Sequence, residues 1–278
     1  MIVAARQVLL ELASVLEDER DKIVFVGGTA CALLFSQEID PHEGTIDVDI
    51  ALDAVALADY DYAGETLEDK FLYASYQQEP GKKYRWVRTL NDDNQYTDVK
   101  VELLAGECEG ALLHTGAREV QGLHASVLHG LDLAFLDPRL VSLSGLLPNG
   151  RLYETQVQVC SPASLLAMKG IAIINRKQGA DKDAMDIDYI LRRYDGGPDA
   201  LARVMKTDLY WYNDLVQEGL QGIAQTFASL KAFGPINIAT EGRYPDMEER
   251  DKVQQGAFQR VQWLLRGLGI RTANRVVN

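Results

Sequence analysis

A buried strand that runs directly into a pair of glycines constrains this chain more than any other feature. Residues 24–26 are continuously apolar, and Gly27, Gly28 and Thr29 follow them. A continuously apolar run is typical of a strand covered on both faces, and glycines let the backbone bend sharply and approach a ligand closely. The helix predicted over residues 29–35 would present free N–H groups and the positive end of its dipole to an anion, and Thr29 would add a hydroxyl donor.

Two acids lie on the next predicted strand, residues 45–52. Side chains alternate across a strand, so Asp47 and Asp49 share one face and Val48 lies on the other. Two bare carboxylates cannot be buried together without a counter-charge, so their face must be open. A divalent cation meets this need, since Mg²⁺ takes one or two carboxylates together with substrate phosphates. The alternative for the Asp pair taken alone is an exposed edge strand with solubilising charge.

A third acid that would complete a two-metal site lies on the predicted strand over residues 96–104. Asp98, Lys100 and Glu102 share one face of that strand. Either acid would reach the same cleft if this strand pairs beside the strand of Asp47, and Glu102 is preferred because it lies deeper in the apolar run. Two metal ions about 4 Å apart hold the attacking and leaving oxygens of a displacement at phosphorus. We therefore expect Asp47, Asp49 and Glu102 to be the metal ligands and the catalytic residues.

The remaining pattern predicts two domains of the α+β class. Residues 1–158 would form a small mixed β-sheet core with helices, and residues 159–278 a helical domain. Ser161 before Pro162 marks the start of that helical part, because serine caps helices and proline suits the first helical position. Helices are predicted over residues 3–16, 29–35, 66–78, 163–175, 181–194, 199–206, 215–233 and 246–268, strands over residues 23–26, 45–52, 84–90, 96–104, 140–143 and 152–159, and a long loop over residues 234–244.

Composition narrows the class of protein. With 47% hydrophobic and 25% charged residues among 278, the chain is typical of globular proteins. No apolar run reaches the ~18 residues that predict a membrane span, and residues 1–16 alternate like an amphipathic helix rather than a signal peptide. Cys31, Cys108 and Cys160 form no metal-binding pair and no disulfide framework. We therefore expect a cytoplasmic location and no membrane partner.

The charge balance bears on nucleic-acid binding. A net charge of −13 argues against a broad electrostatic surface for DNA or RNA. A local basic cluster is interpreted as a solvated surface, the usual place of such a run. It consists of Lys82, Lys83, Arg85 and Arg88.

These motifs resemble a known family. A Gly-Gly-Ser/Thr turn followed by Asp-x-Asp is the signature of the nucleotidyltransferase superfamily, which has a polymerase-β-like fold. A second stretch, residues 161–169 with Arg176, Lys177 and residues 181–191, is similar to the helical half of the AbiEii-type nucleotidyltransferases. That group includes toxins of type IV toxin–antitoxin systems, so the resemblance also implies an antitoxin protein as partner. It covers about residues 20–195.

The resemblance implies a role for each matching position. The glycine turn would contact the triphosphate of an NTP, the Asp pair would bind two Mg²⁺ ions together with the third acid, and the helical half would supply nucleotide contacts. The family usually has Asp at the position of Glu102. The nucleotide-binding residues would be Gly27, Gly28, Thr29, Lys169, Asp183 and Asp186, and the metal ligands Asp47, Asp49 and Glu102.

Two interpretations of Lys169 stay open. Its ammonium lies in an apolar helix, where a lone cation needs an anion. Asp183 and Asp186 are three residues apart and share one helix face. Lys169 would contact nucleotide phosphates or pair with these acids as a structural bridge between helices, and the sequence favours neither.

The sequence leads to two functional hypotheses. In the first, a Mg²⁺-dependent nucleotidyltransferase transfers a nucleoside monophosphate from an NTP to an acceptor hydroxyl, as the toxin of a toxin–antitoxin pair. The acceptor would be an RNA end, a protein side chain or a small molecule. In the second, the chain is a catalytically weakened nucleotide- or partner-binding module of the same fold, as the change to Glu102 allows.

Overall fold

The structure is a computed structural model that describes residues 3–35, 47–58, 65–92, 95–107, 116–176, 179–242, 244 and 246–270. The chain divides into two compact units, Met1–Ser161 and Pro162–Asn278, here called the sheet unit and the helical unit. A mixed sheet of nine strands forms the first, and helices account for the described secondary structure of the second. The predicted α+β class is therefore confirmed. Within the described ranges, no helix combines the length and apolar character needed to cross a bilayer.

The sheet unit is built around one mixed sheet. Its strands follow the order β3-β4-β5-β2-β1-β9-β8, and β7 pairs with both β5 and β6. The pairs β1–β9, β2–β5 and β5–β7 are parallel, and the other pairs are antiparallel. The strands are β1 Ile23–Val26, β2 Val48–Leu52, β3 Gln77–Gln78, β4 Arg85–Asp92, β5 Gln95–Ala105, β6 Ala117–Val120, β7 Leu123–Val127, β8 Arg139–Leu146 and β9 Leu152–Val159.

The centre of this sheet is apolar on both faces. All four residues of β1 are buried, with at most 3% exposure, as the continuous apolar run predicts. The first helix buries the stripe of Val8, Leu9 and Leu12, which confirms its predicted amphipathic pattern. The α-helices of this unit are α1 Val3–Val15, α2 Gly27–Leu34, α3 Ala54–Ala58 and α4 Leu67–Tyr73, and short 3₁₀ turns cover Glu17–Glu19 and Leu131–Phe135.

The helical unit packs seven described helices. Two of them, α5 and α9, touch through their backbones, because a Cβ at Gly170 would overlap the main-chain carbonyl of Gly219. Buried Asp188 accepts hydrogen bonds from Arg260 at 2.8 Å and lies 3.0 Å from Arg192, so an ion network joins α6 to α11. The helices are α5 Pro162–Asn175, α6 Ala180–Arg193, α7 Gly197–Met205, α8 Asp208–Trp211, α9 Asp214–Thr226, α10 Phe233–Glu241 and α11 Met247–Leu268.

The helix predicted over residues 66–78 is too long, because α4 ends at Tyr73. Ser75 adopts a positive φ of 64°, and the N–H of Tyr76 donates to the carbonyl of Phe71 at 3.0 Å. A left-handed residue and a hydrogen bond that reaches five residues back are typical of helix ends. Burial of Tyr76 against Phe71 then directs the chain into β3 rather than into further helix.

The predictions over residues 215–244 are wrong in two places. The helix predicted over residues 215–233 ends at Thr226, and α10 occupies most of the loop predicted over residues 234–244. Gly234 and Pro235 occupy the first turn of α10, where the missing N–H of proline costs no helical hydrogen bond. Of the predicted strand over residues 45–52, β2 covers Val48–Leu52, and residues 45 and 46 lie outside the described ranges.

Candidate active site

The glycine turn and the Asp pair meet at one point in the sheet unit. Gly27 begins α2 with a φ of +63°, in the left-handed region that favours glycine. A Cβ at this position would overlap Oδ2 of Asp49 and would lie 3.0 Å from its Cγ. The antiparallel register of Val26 with Asp49 creates this approach. Both the backbone angle and the neighbouring carboxylate therefore require glycine at residue 27.

Thr29 ties the start of α2 to the acidic segment. Its hydroxyl donates to the main-chain carbonyl oxygen of Asp47 at 3.1 Å, and the residue is 2% exposed. Asp47 immediately precedes β2 and is half-buried like Asp49, whereas Val48 between them is fully buried. The predicted alternation of open and buried positions is therefore confirmed. The phosphate contact expected of Thr29 stays a prediction, as does that of Gly28, the second residue of α2.

Glu102 lies beside Asp49 on the neighbouring parallel strand. The two residues are register partners in the β2–β5 pair, so their side chains leave the same face of the sheet. On the other side, Arg85 of β4 is the register partner of Glu102, and its Nη2 donates to Oε1 of Glu102. Asp49, Glu102 and Arg85 therefore form one row across three strands, here called the cross-strand row.

Arg85 also binds a second acid. Its Nη1 donates to Oε2 of Glu79 at 3.0 Å. Burial by itself would lower the pKa of Arg85, but the hydrogen bonds and charges of Glu102 and Glu79 outweigh burial and raise that pKa. The guanidinium is therefore charged at neutral pH.

The structure separates the two acids that the sequence offered as the third carboxylate. Asp98 lies four residues before Glu102 on β5, about 14 Å away along an extended strand. It is exposed and accepts a hydrogen bond from Thr89 at 2.6 Å. Glu102 is in register with Asp49, and Asp98 is not.

The carboxylates of Asp47 and Asp49 suit a magnesium ion that arrives with phosphates. Carboxylate oxygens are the ligands that Mg²⁺ prefers, and it commonly uses one or two of them with substrate phosphates. Over the described ranges, no three acidic, histidine or cysteine side chains are grouped so that they could hold a metal ion. Arg85 already engages Glu102. Asp47, Asp49 and Glu102 as a three-carboxylate set for two metals therefore stay a prediction.

The second predicted group of residues lies in the helical unit. Lys169 of α5 contacts two acids of α6, with its Nζ 3.0 Å from Oδ1 of Asp183 and 2.6 Å from Oδ2 of Asp186. Arg176 lies 3.5 Å from Asp183, which is fully buried. The ion pairs of the structural interpretation are thus formed, and nucleotide contacts of these three residues stay a prediction.

Sequence reasoning missed the role of Arg85 and Glu79. The solvated surface proposed for the basic cluster is wrong for Arg85 and Arg88, whose side chains are only 16% and 18% exposed and bind carboxylates. No local signal could have found this pairing, because it depends on the strand register that places Arg85 opposite Glu102.

A glycine-bent strand end that meets acids on neighbouring strands, in a mixed sheet with a helical unit after it, defines the nucleotidyltransferase class that the motifs resemble. The family model for the nucleotidyl transferase AbiEii toxin of type IV toxin–antitoxin systems matches residues 9–264, and the chain belongs to this family. The match extends well past residue 195, where the resemblance was expected to end. Neither a curated protein nor a solved structure matches the chain.

Proposed function

We propose that this protein is a Mg²⁺-dependent nucleotidyltransferase that transfers a nucleoside monophosphate from an NTP to an acceptor hydroxyl. Membership of the AbiEii toxin family supports a transferase of a toxin–antitoxin system. One observation supports the finer proposal most. The carboxylate of Asp49 occupies the space beside Gly27, and Glu102 lies in register with it.

The chain's own residues have defined tasks in this proposal. The first N–H groups of α2, which has no side-chain cap, bind phosphate oxygens, and Gly27 lets the backbone approach them. Asp47 and Asp49 hold Mg²⁺, which when bound supplies positive charge to the triphosphate. A carboxylate of the site accepts the proton of the acceptor hydroxyl. The bond between the acceptor oxygen and the α-phosphorus forms, the bond from that phosphorus to the β-phosphate oxygen breaks, and pyrophosphate leaves.

Other parts of the proposal rest on the resemblance and on composition. Lys169, Asp183 and Asp186 would contact the nucleotide, and an antitoxin protein would be the partner. The acceptor is an RNA end, a protein side chain or a small molecule, and the net charge of −13 mildly disfavours RNA. A cytoplasmic location agrees with Cys31 and Cys160, which are buried cysteines that take part in no disulfide.

The test is a label-transfer assay. The protein is incubated with each α-³²P-labelled NTP, Mg²⁺, total RNA and cell extract. We expect label on one acceptor class from the wild type and loss of at least 100-fold in Asp49→Ala, as for removal of an electrostatic catalytic group. Asp98→Asn is the matched control, because this acid shares the face and strand of Glu102 but is not in register with Asp49. Transfer that survives in Asp49→Ala would contradict the proposal.

Two further readouts sharpen this test. A γ-labelled NTP should give no labelled acceptor, which separates nucleotidyl transfer from kinase activity. Expression in cells should arrest growth, and Asp49→Ala should relieve the arrest if the protein acts as a toxin.

The second candidate function is a nucleotide- or partner-binding module with weakened turnover. The pairing of Glu102 with Arg85 favours it, because an acid held by a guanidinium is not available to a metal ion. Binding of an NTP without transfer to any acceptor, in the same incubation, would support this candidate over the enzyme.

A further inference from the structure

Arg85 places a cation in the cross-strand row, next to carboxylates that a metal site would need. Its side chain is 16% exposed, and its two terminal nitrogens bind different acids, Glu102 and Glu79. Its Nε is buried and has no hydrogen-bond partner among the groups that the structure describes. A guanidinium placed between two acids can keep one partner when it releases the other.

We propose that Arg85 is a positioning residue that holds Glu102 off the metal until Mg²⁺ and nucleotide arrive, and that Glu79 retains Arg85 after Glu102 is released. The inference rests on the proposed function. It concerns the order in which the site assembles, and it assigns different roles to the two acids that Arg85 binds.

Competition for one carboxylate supports this inference. Oε1 of Glu102 accepts from Arg85, and a guanidinium and a metal ion use the same lone pairs of an ionised carboxylate. Glu102 is flanked in register by Arg85 on one side and by Asp49 on the other. Its side chain is one methylene longer than that of Asp, so rotation about its own bonds can move the carboxylate from one neighbour toward the other.

The position of Glu79 supports the second half of the inference. Its main-chain N–H donates to the carbonyl of Arg85 at 2.8 Å, so the two backbones are fixed to each other. Its carboxylate accepts from Nη1 of Arg85 at 3.0 Å. Because this contact does not involve Glu102, it persists when Glu102 turns away, and it spares Arg85 from being left without an acid.

The experiment measures Mn²⁺ binding, as a probe for Mg²⁺, by electron paramagnetic resonance on the full chain without nucleotide. Arg85→Gln should bind Mn²⁺ about tenfold more tightly than the wild type, because the loss of one partly buried ion pair can change an affinity by this much. Glu79→Gln should weaken binding about threefold, because Arg85 then depends on Glu102. In Arg85→Gln/Glu102→Gln the gain should vanish, leaving the affinity of Glu102→Gln alone.

Arg88→Gln is the matched control for the loss of a positive charge. Arg88 lies three residues along the same strand, faces the opposite side and pairs with Glu11 at 2.8 Å. It should leave Mn²⁺ affinity within twofold of the wild type. If Arg85→Gln fails to fold, Arg85→Lys serves instead, since lysine keeps the charge but lacks the planar fork, and it should tighten binding two- to threefold.

The outcomes separate the two proposals. If Arg85→Gln binds Mn²⁺ no more tightly than the wild type, the inference is overturned. The proposed function still stands in that case, provided that label transfer persists. Equal tightening in Arg85→Gln and Arg88→Gln also overturns it, because net charge alone would then explain the gain. No Mn²⁺ binding by any variant also overturns the inference, but it leaves the proposed function standing, because the metal ion of that proposal arrives with the nucleotide phosphates.

Discussion

Replacing Lys169 by methionine separates the two interpretations of this residue. Its Nζ lies 3.0 Å from Asp183 and 2.6 Å from Asp186, and the side chains of the three residues are 13%, 0% and 9% exposed. At this degree of burial the ion pairs are shielded from solvent. Methionine matches the length of lysine but carries no charge, so it removes this cation from both acids, while Arg176 stays 3.5 Å from Asp183.

The magnitude follows from the buried charges that are left behind. Removing one partner of a buried ion pair costs about 3–5 kcal/mol, because the remaining charge lies in a medium of low polarity. We therefore expect Lys169→Met to lower the free energy of unfolding by about 3–5 kcal/mol. The triple variant Lys169→Met/Asp183→Asn/Asp186→Asn should recover more than half of this loss, since neutral amides need no counter-charge.

The assay is urea unfolding followed by far-UV circular dichroism, with Lys252→Met as control. Lys252 pairs with Glu248 on the surface, with side-chain exposures of 69% and 78%, so its loss should cost at most about 0.5 kcal/mol. An unfolding free energy of Lys169→Met within about 1 kcal/mol of the wild type would refute the structural reasoning. If nucleotide affinity fell in that case, the nucleotide interpretation would stand alone.

Three further predictions test other parts of the fold. Gly27→Ala should lower the free energy of unfolding by more than Gly150→Ala and should abolish Mn²⁺ binding. Both glycines have a positive φ, which alone costs an alanine about 1–2 kcal/mol, but nothing lies within 4 Å of a Cβ at Gly150. Equal losses in urea unfolding would contradict the steric argument. Arg260→Met should cost about 3 kcal/mol of unfolding free energy, because it leaves the buried carboxylate of Asp188 with one cation fewer. A loss near that of Lys252→Met would argue against burial as the cause. Cys160 should resist alkylation in the native protein and react after unfolding, because burial raises the pKa of its thiol; peptide mapping after a timed iodoacetamide pulse measures this, and rapid native labelling would contradict it.

Several elements of this protein could be predicted from the sequence because local chemistry determines them. The apolar run of β1, the stripe of α1 and the helix start at Pro162 follow from periodicity and from the geometry of serine and proline. The hairpin of β8 and β9 follows from Asn-Gly, whose Gly150 has a φ of 79°. The prediction failed where a local signal is compatible with two structures, since Gly234 and Pro235 suit a loop as well as the first turn of a helix.

The candidate site also has some features that local sequence determines and others that only the tertiary structure determines. Alternation in the sequence places Asp47 and Asp49 on an open face, because side-chain direction in a strand depends on parity alone. Depth in the apolar run favours Glu102 over Asp98, but the alternation does not say which strand lies beside another, so only the tertiary structure makes Glu102 the neighbour of Asp49. The same holds for Arg85, whose partner is set by strand register.

The sequence by itself thus determined the local elements and the faces that carry charge. The tertiary structure alone decided which charges meet: Lys169 with the acids of α6, and Arg85 with Glu102. The physical reason is that ion pairs form between groups far apart in the chain, and their distances depend on how sheets and helices pack rather than on spacing along the sequence.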